Sequence, residues 1–195
     1  MAARSTLTVV SGNTITSAWG NSVRDHVVTY TGSNDVTTEG QLAVNTTNDD
    51  VVIHNGSAAE IIGHYGGWYT SWTPTCTQGF AVALTVNRAR WLRIFGRTIV
   101  FQANGSFAGN GSTNNTITFS LPVTAASSGY TIPGSGLIYD GSNNRPGSPY
   151  LASTTTVGLL PQEAPSTALL GASVMTAAVI AGNLWSISGV YEAAS

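Results

Sequence analysis

From Ala81 to Tyr191 the chain repeats one pattern. Short runs of β-branched and aromatic residues are cut apart by clusters of Gly, Asn, Ser and Pro. Runs of this length and composition, bounded by turn residues, predict an all-β region of short strands. The predicted strands are 81–86, 89–95, 98–104, 116–121, 136–139, 155–160, 175–180 and 184–191. Phe95-Gly-Arg97 reads as a tight connection between two long strands, while Asn104-Gly105 and Gly109-Asn-Gly111 read as loops. Strands of this number and length with no helical period between them predict a two-sheet sandwich, jelly-roll-like in type.

The first third reads differently. Ile15, Trp19, Val23 and Val27 recur every fourth residue, which predicts one short amphipathic helix. Thr14 or Thr16 supplies its N-cap, and Thr29 to Gly32 stops it. Little else nearby can bury Trp19, so these four residues are the expected trimer and attachment face. A hairpin follows, Gly40 to Asn45 and Val51 to His54, with Asn55-Gly56 closing its second strand. One hairpin is marginal alone in water, so it calls for partners. Residues 64–74 combine paired glycines, aromatics and a proline. The expected organisation is therefore an N-terminal arm and helix (1–32), a hairpin stalk (33–66), a linker (67–74) and a β-sandwich knob (75–195).

Charge narrows the function. Only 8% of residues are charged, and every cation is Arg, against roughly 25% charged residues in an ordinary soluble domain. A neutral polar surface suits close packing of identical subunits, since little charge has to be desolvated. With a formal net charge of −2 there is no electrostatic case for nucleic-acid binding. The single Cys76 rules out an intrachain disulfide and a cysteine-based zinc site. No secretory leader is legible, and the most apolar stretch, Leu169 to Ala181, is too short to span a bilayer, so no membrane insertion is expected.

Candidate chemistry is sparse. In the predicted sandwich the carboxylates are Asp140, Glu163 and Glu192, far apart in sequence, and no catalytic constellation emerges. The expectation is a protein that is not an enzyme. His26, His54 and His64 lack metal-site spacing, although a trimer axis would gather three copies of one of them. Asn48-Asp49-Asp50 is acidic like a calcium loop but lacks its Gly and distal Glu, so a hairpin turn is expected there, and no cofactor. Arg88, Arg90, Arg93 and Arg97 form the densest charge in the chain. In an extended strand Arg88 and Arg90 share one face, while Arg93 and Arg97 share the other. They are candidates for host-surface contact, gripping an acidic glycan, against the plainer role of anchoring loops and interfaces. Trp68, Tyr69 and Trp72 can stack on sugar rings; the expectation is instead that they wedge two domains together.

Ser11-Gly-Asn-Thr-Ile-Thr-Ser-Ala-Trp-Gly-Asn-Ser-Val-Arg-Asp25 resembles the start of tail-fibre-like and minor structural proteins of phages infecting actinobacteria. Glu39-Gly-Gln-Leu-Ala-Val-Asn45 with Val52-Ile-His-Asn-Gly-Ser57 is similar to their strand–turn–strand unit, except that Ala58-Ala59 stands where a Trp is usual. The second half resembles their carboxy-terminal sandwich. The matching pieces are Trp72-Thr-Pro-Thr75, Arg90 to Val100, Ile117 to Ala126, Gly134 to Asp140 and Ser188 to Ala193. The resemblance implies a homotrimeric virion protein on the particle surface, bound to other phage structural proteins and presenting its sandwich to a host-cell glycan. The leading expectation is a tail-fibre or receptor-binding subunit, and the alternative is a decoration or head-fibre protein of the capsid. From another class comes a carbohydrate-binding or glycan-cleaving protein.

Overall fold

In a computed structural model of the chain, the described residues are 7–8, 14–15, 29–31, 42–47, 49–64, 67–94, 96–139, 141–162 and 178–194. They are mainly β, with no helix among them. The chain divides into two compact units, Met1–Gly67 and Trp68–Ser195.

In the first unit β1 (Leu7–Thr8) pairs antiparallel with β2 (Thr14–Ile15). Ile15 therefore lies in an extended ladder and does not begin the helix that the four-residue spacing predicted. Its backbone is paired opposite Leu7, and a residue so paired is not available to an α-helical turn. Trp19, Val23 and Val27 lie outside the described residues. A second ladder joins β3 (Thr29–Thr31), parallel, to β4 (Leu42–Asn45), then β5 (Asp50–His54) and β6 (Ala59–His64), both antiparallel. The β4–β5 turn places Asp49 at φ 57, a left-handed conformation that Asp tolerates. In the next turn the Asn55 carbonyl oxygen Oδ1 accepts the amides of Ser57 and Ala58, both at 3.0 Å, and Gly56 takes φ 93. β6 extends the expected two-stranded hairpin to three strands, with Ile62 as an extra residue between the partners of Val51 and Val52.

Among the described residues, the second unit holds nine strands: β7 (Cys76–Gln78), β8 (Ala81–Val82), β9 (Leu84–Ile94), β10 (Thr98–Phe107), β11 (Ile117–Ser120), β12 (Gly134–Tyr139), β13 (Asn144–Leu151), β14 (Thr156–Pro161) and β15 (Leu184–Glu192). They pair antiparallel in the order β9-β10-β15-β12-β13-β14-β11-β7-β8. β8 and β9 stand at opposite ends of that order, yet only Ala83 separates them in the chain. The sheet must therefore curl until its two ends approach. Ala83 sits at the corner, its carbonyl accepting the amides of Ala108 and Gly109.

The curl puts one face of each strand inside. β10 alternates strictly, burying Ile99, Phe101, Ala103, Gly105 and Phe107. β15 buries Trp185, Ile187, Gly189 and Tyr191. Rings from strands distant in the sheet order meet in the middle: Phe119 of β11 lies 4.9 Å from Trp185 of β15 and 6.4 Å from Phe107, centroid to centroid. Gly136 and Gly147, paired across β12 and β13, make room for Leu159. A Cβ on Gly136 would stand 2.4 Å from its Cδ2. Tyr191 donates its hydroxyl to the Val123 carbonyl at 2.6 Å, and burial pushes its phenol well above the usual range.

β13 is not among the predicted strands, because Asn144-Arg-Pro-Gly-Ser-Pro149 reads as loop. Both prolines are tolerated for a definite reason. Pro146 turns its carbonyl to Gln162, just past the last residue of β14, and Pro149 turns its own to Ile132, just before β12 begins. The missing N–H of each therefore faces a place where the neighbouring ladder has ended. Residues 178–180, the described end of the predicted strand 175–180, are not in a strand.

Candidate functional site

The predicted linker residues from Trp68 onward are built into the second unit. Tyr69 pairs with Trp91 of β9 through two backbone hydrogen bonds, 2.8 and 3.0 Å, and stacks on its ring at 4.4 Å. Trp72 is buried edge-on against Phe101. Since residues alternate along an extended chain, Trp68 falls on the face opposite Tyr69. It is 37% exposed, with the Arg90 guanidinium carbon 4.4 Å from its ring centroid. The three aromatics thus have separate roles: Trp68 is exposed, Tyr69 half-buried and Trp72 buried.

The four arginines separate as well. β9 pairs Arg88 with Asn104 and Arg90 with Gln102, on the outer face. Arg93 is opposite the buried Ile99, on the inner side, and donates to the Gly96 carbonyl at 2.9 Å. Arg97 lies in the β9–β10 turn, donates Nε–H to the Ala193 carbonyl at 3.0 Å and pairs with Glu192 at 2.8 Å. Arg90 donates from Nε and Nη2 to the Gln102 side-chain carbonyl at 3.2 and 2.9 Å. Arg90, Arg93 and Arg97 are held by partners within the unit, Arg88 is exposed on the outer face of β9, and the four do not form one cationic patch.

What the pairing does assemble is a row across the outer face. Residues directly opposite in antiparallel strands share a face. Arg90 stands opposite Gln102, Gln102 opposite Ser188, and Ser188 opposite Ser135. Trp68 caps the row at one end. At the other, the two serine hydroxyls approach to 3.4 Å. Two depressions lie along it. One, of about 310 Å³, is lined by Trp68, Val100, Gln102, Pro133, Gly134, Ser188 and Val190, with Phe101 and Gly189 beneath. The other, of about 110 Å³, is lined by Gln102, Asn104, Ser135, Ser186 and Ser188, with Ala103 and Ile187 beneath. Gln102 and Ser188 belong to both. One end is therefore apolar with an aromatic wall, the other is amide and hydroxyl, and no charged residue lines either.

Sequence reasoning singled out Trp68 and Arg90 but not Gln102, Ser135 or Ser188. Polar residues on an outward strand face are ordinary, and only the three-strand register reveals that these lie in line.

Elsewhere the titratable groups are dispersed. His64 Nδ1 lies 3.3 Å from Asp50 Oδ1, both side chains 4% exposed, and His54 Nδ1 accepts the Gly56 amide. His26 lies outside the described residues. Among the described residues no group of three or more His, Cys, Asp or Glu gathers to hold a metal, and no helix is long and apolar enough to cross a membrane. Cys76 is buried, and desolvation pushes its thiol up to about 12. No family model, curated protein or solved structure matches the chain.

Proposed function

We propose that the chain is a structural subunit of a bacteriophage particle: a homotrimeric tail-fibre or receptor-binding-type protein, without catalytic activity. Its N-terminal residues, Ile15, Trp19, Val23 and Val27 among them, attach it to other virion proteins. Its second unit is presented to the host surface. In this reading the nine strands form a jelly-roll-like sandwich, β9-β10-β15-β12 facing β13-β14-β11-β7-β8. The nested pairs β10·β15, β11·β14 and β12·β13 support that arrangement, because they follow the pattern of a rolled-up hairpin.

The observation that carries the functional reading is the contrast in cores. The second unit encloses a large aromatic interior of its own. In the first, the described strands enclose Ala43 and Val52, with Ile61 packed on them. A short ladder of this kind is marginal alone in water, which supports its completion by other copies or other proteins. The low charge supports the same reading, since copies of this chain can pack together at little desolvation cost.

Two measurements test it. Light-scattering mass in solution should be three times the 20.1 kDa of one chain; a folded monomer at high concentration overturns the trimer. Gold-labelled antibody on purified phage particles should decorate the tail. Label on the head would instead assign a capsid fibre or decoration role, and unlabelled particles lacking the chain by mass spectrometry would end the virion reading.

A further inference from the structure

We infer that the outer face of β10, β15 and β12 is a binding site for a neutral saccharide, with Trp68 as the stacking platform and Gln102 and Ser188 as the central hydrogen-bonding groups. This deepens the proposed host-surface role and rests on it for its setting. Sugar rings present an apolar C–H face and an equatorial rim of hydroxyls. A site for them needs a fixed aromatic plane beside amides and hydroxyls that both donate and accept.

The outer face supplies that combination. Trp68 is exposed yet fixed, because Arg90 lies against its ring and is itself held by two hydrogen bonds to Gln102. A preset platform loses little side-chain freedom when a ligand arrives. With its carbonyl oxygen committed to Arg90, Gln102 has its amide N–H groups to offer a ligand hydroxyl, and Ser188, whose hydroxyl donates to the Ser135 carbonyl at 3.3 Å, offers an acceptor. The larger depression abuts Trp68, and the smaller one continues it into Asn104 and Ser186. A saccharide stacked at the first would reach amides and hydroxyls at the second.

Charge decides the class of sugar. An acidic glycan would need a cation free to meet it, whereas Arg90 is already engaged with both Trp68 and Gln102. Arg88, the exposed arginine of β9, lines neither depression. A face without charge also costs less to desolvate against uncharged hydroxyls than against ions.

The test is a printed array of neutral hexose and N-acetylhexosamine oligosaccharides beside uronate-bearing ones, probed with the labelled full-length protein. Binding should fall on the neutral set. Trp68→Ala and Gln102→Leu should each weaken it at least tenfold while leaving the thermal transition and solution mass in place, and Arg88→Ala should stay within twofold of the parent. Binding to uronate-bearing glycans alone, abolished by Arg88→Ala, overturns the inference. So does a folded protein that binds nothing on the array. A Trp68→Ala protein that loses mass in solution while the parent ignores every glycan would assign the face to contact between copies, and overturns it too. Particles that carry the protein with no glycan binding sink this inference alone; glycan binding by a protein absent from particles sinks the virion reading and leaves the site.

Discussion

Among the described residues, the unit ending at Gly67 hides Ala43 and Val52 beside Ile61, together with the polar Asn45, Asp50 and His64. The unit beginning at Trp68 hides Phe101, Phe107, Phe119, Trp72, Trp185 and Tyr191 at the centre of a far larger apolar cluster. The first draws on backbone ladders and buried polar contacts, the second on aromatic volume. The difference teaches where each is vulnerable. Aromatic burial is lost in large steps when a ring is removed, while a small polar core depends on every hydrogen-bonding group being satisfied.

Four measurements would break or sharpen this comparison. The largest effect is expected at Phe119, fully buried between Phe107 and Trp185. Phe119→Ala should cost the second unit about 3–5 kcal/mol in denaturant unfolding; a cost under about 1 kcal/mol would mean that the rings do not hold the curl together. Alkali should act on the same interior through Cys76. Its folded thiol is raised from 9.0 to about 12, so between those values the unfolded chain gives up a proton that the folded chain keeps. Stability from this group is complete below pH 9 and declines as pH rises towards 12. The midpoint of the parent should therefore fall over that interval relative to Cys76→Ala, and the native thiol should resist alkylation at pH 8.

The polar side of the comparison is tested by Asp50→Ala. It leaves the buried His64 without this partner and should cost about 1–3 kcal/mol. The loss should appear in hydrogen exchange of β5 and β6 and leave β10 and β15 unchanged; an equal loss in both units would show that they unfold as one. The smallest effect belongs to the Arg97–Glu192 pair, whose side chains are 41% and 59% exposed. Glu192→Gln should change stability by about 0.2–1 kcal/mol at most, less in high salt.

The strand content of the second unit was legible because β10, β11 and β15 are runs rich in β-branched and aromatic residues bounded by turn residues, with Ile99, Phe101, Phe119, Trp185, Ile187 and Tyr191 falling at inward positions. β7 and β13 were not, for opposite reasons. Cys76-Thr-Gln78 is too short and polar to register, and its Gln78 is fully buried by accepting the Val179 amide at 3.0 Å, a partner 101 residues away. β13 hides behind two prolines whose harmlessness depends on where β12 and β14 end. The Arg pattern was read correctly for Arg88 and Arg90 on one face. Arg97 escaped it, because it belongs to the turn rather than to a strand. Trp68 was legible as an aromatic, but its separation from Trp72 required knowing that Tyr69 pairs with Trp91. The row through Gln102 and Ser188 is a property of register alone, and register is a long-range quantity that no local window contains.

The pairing of β10 with β15 also has a bearing on how the protein is made. Arg97 reaches Ala193 across 96 residues of chain, and β10 has no partner on that side until β15 has left the ribosome. Until then a long, half-apolar ladder stands open, the kind of edge that recruits strands from other chains. Assembly of the second unit therefore waits for Leu184–Glu192 and is slow for its size. Chains terminated before Leu184 should accumulate as aggregates rather than as smaller soluble folds.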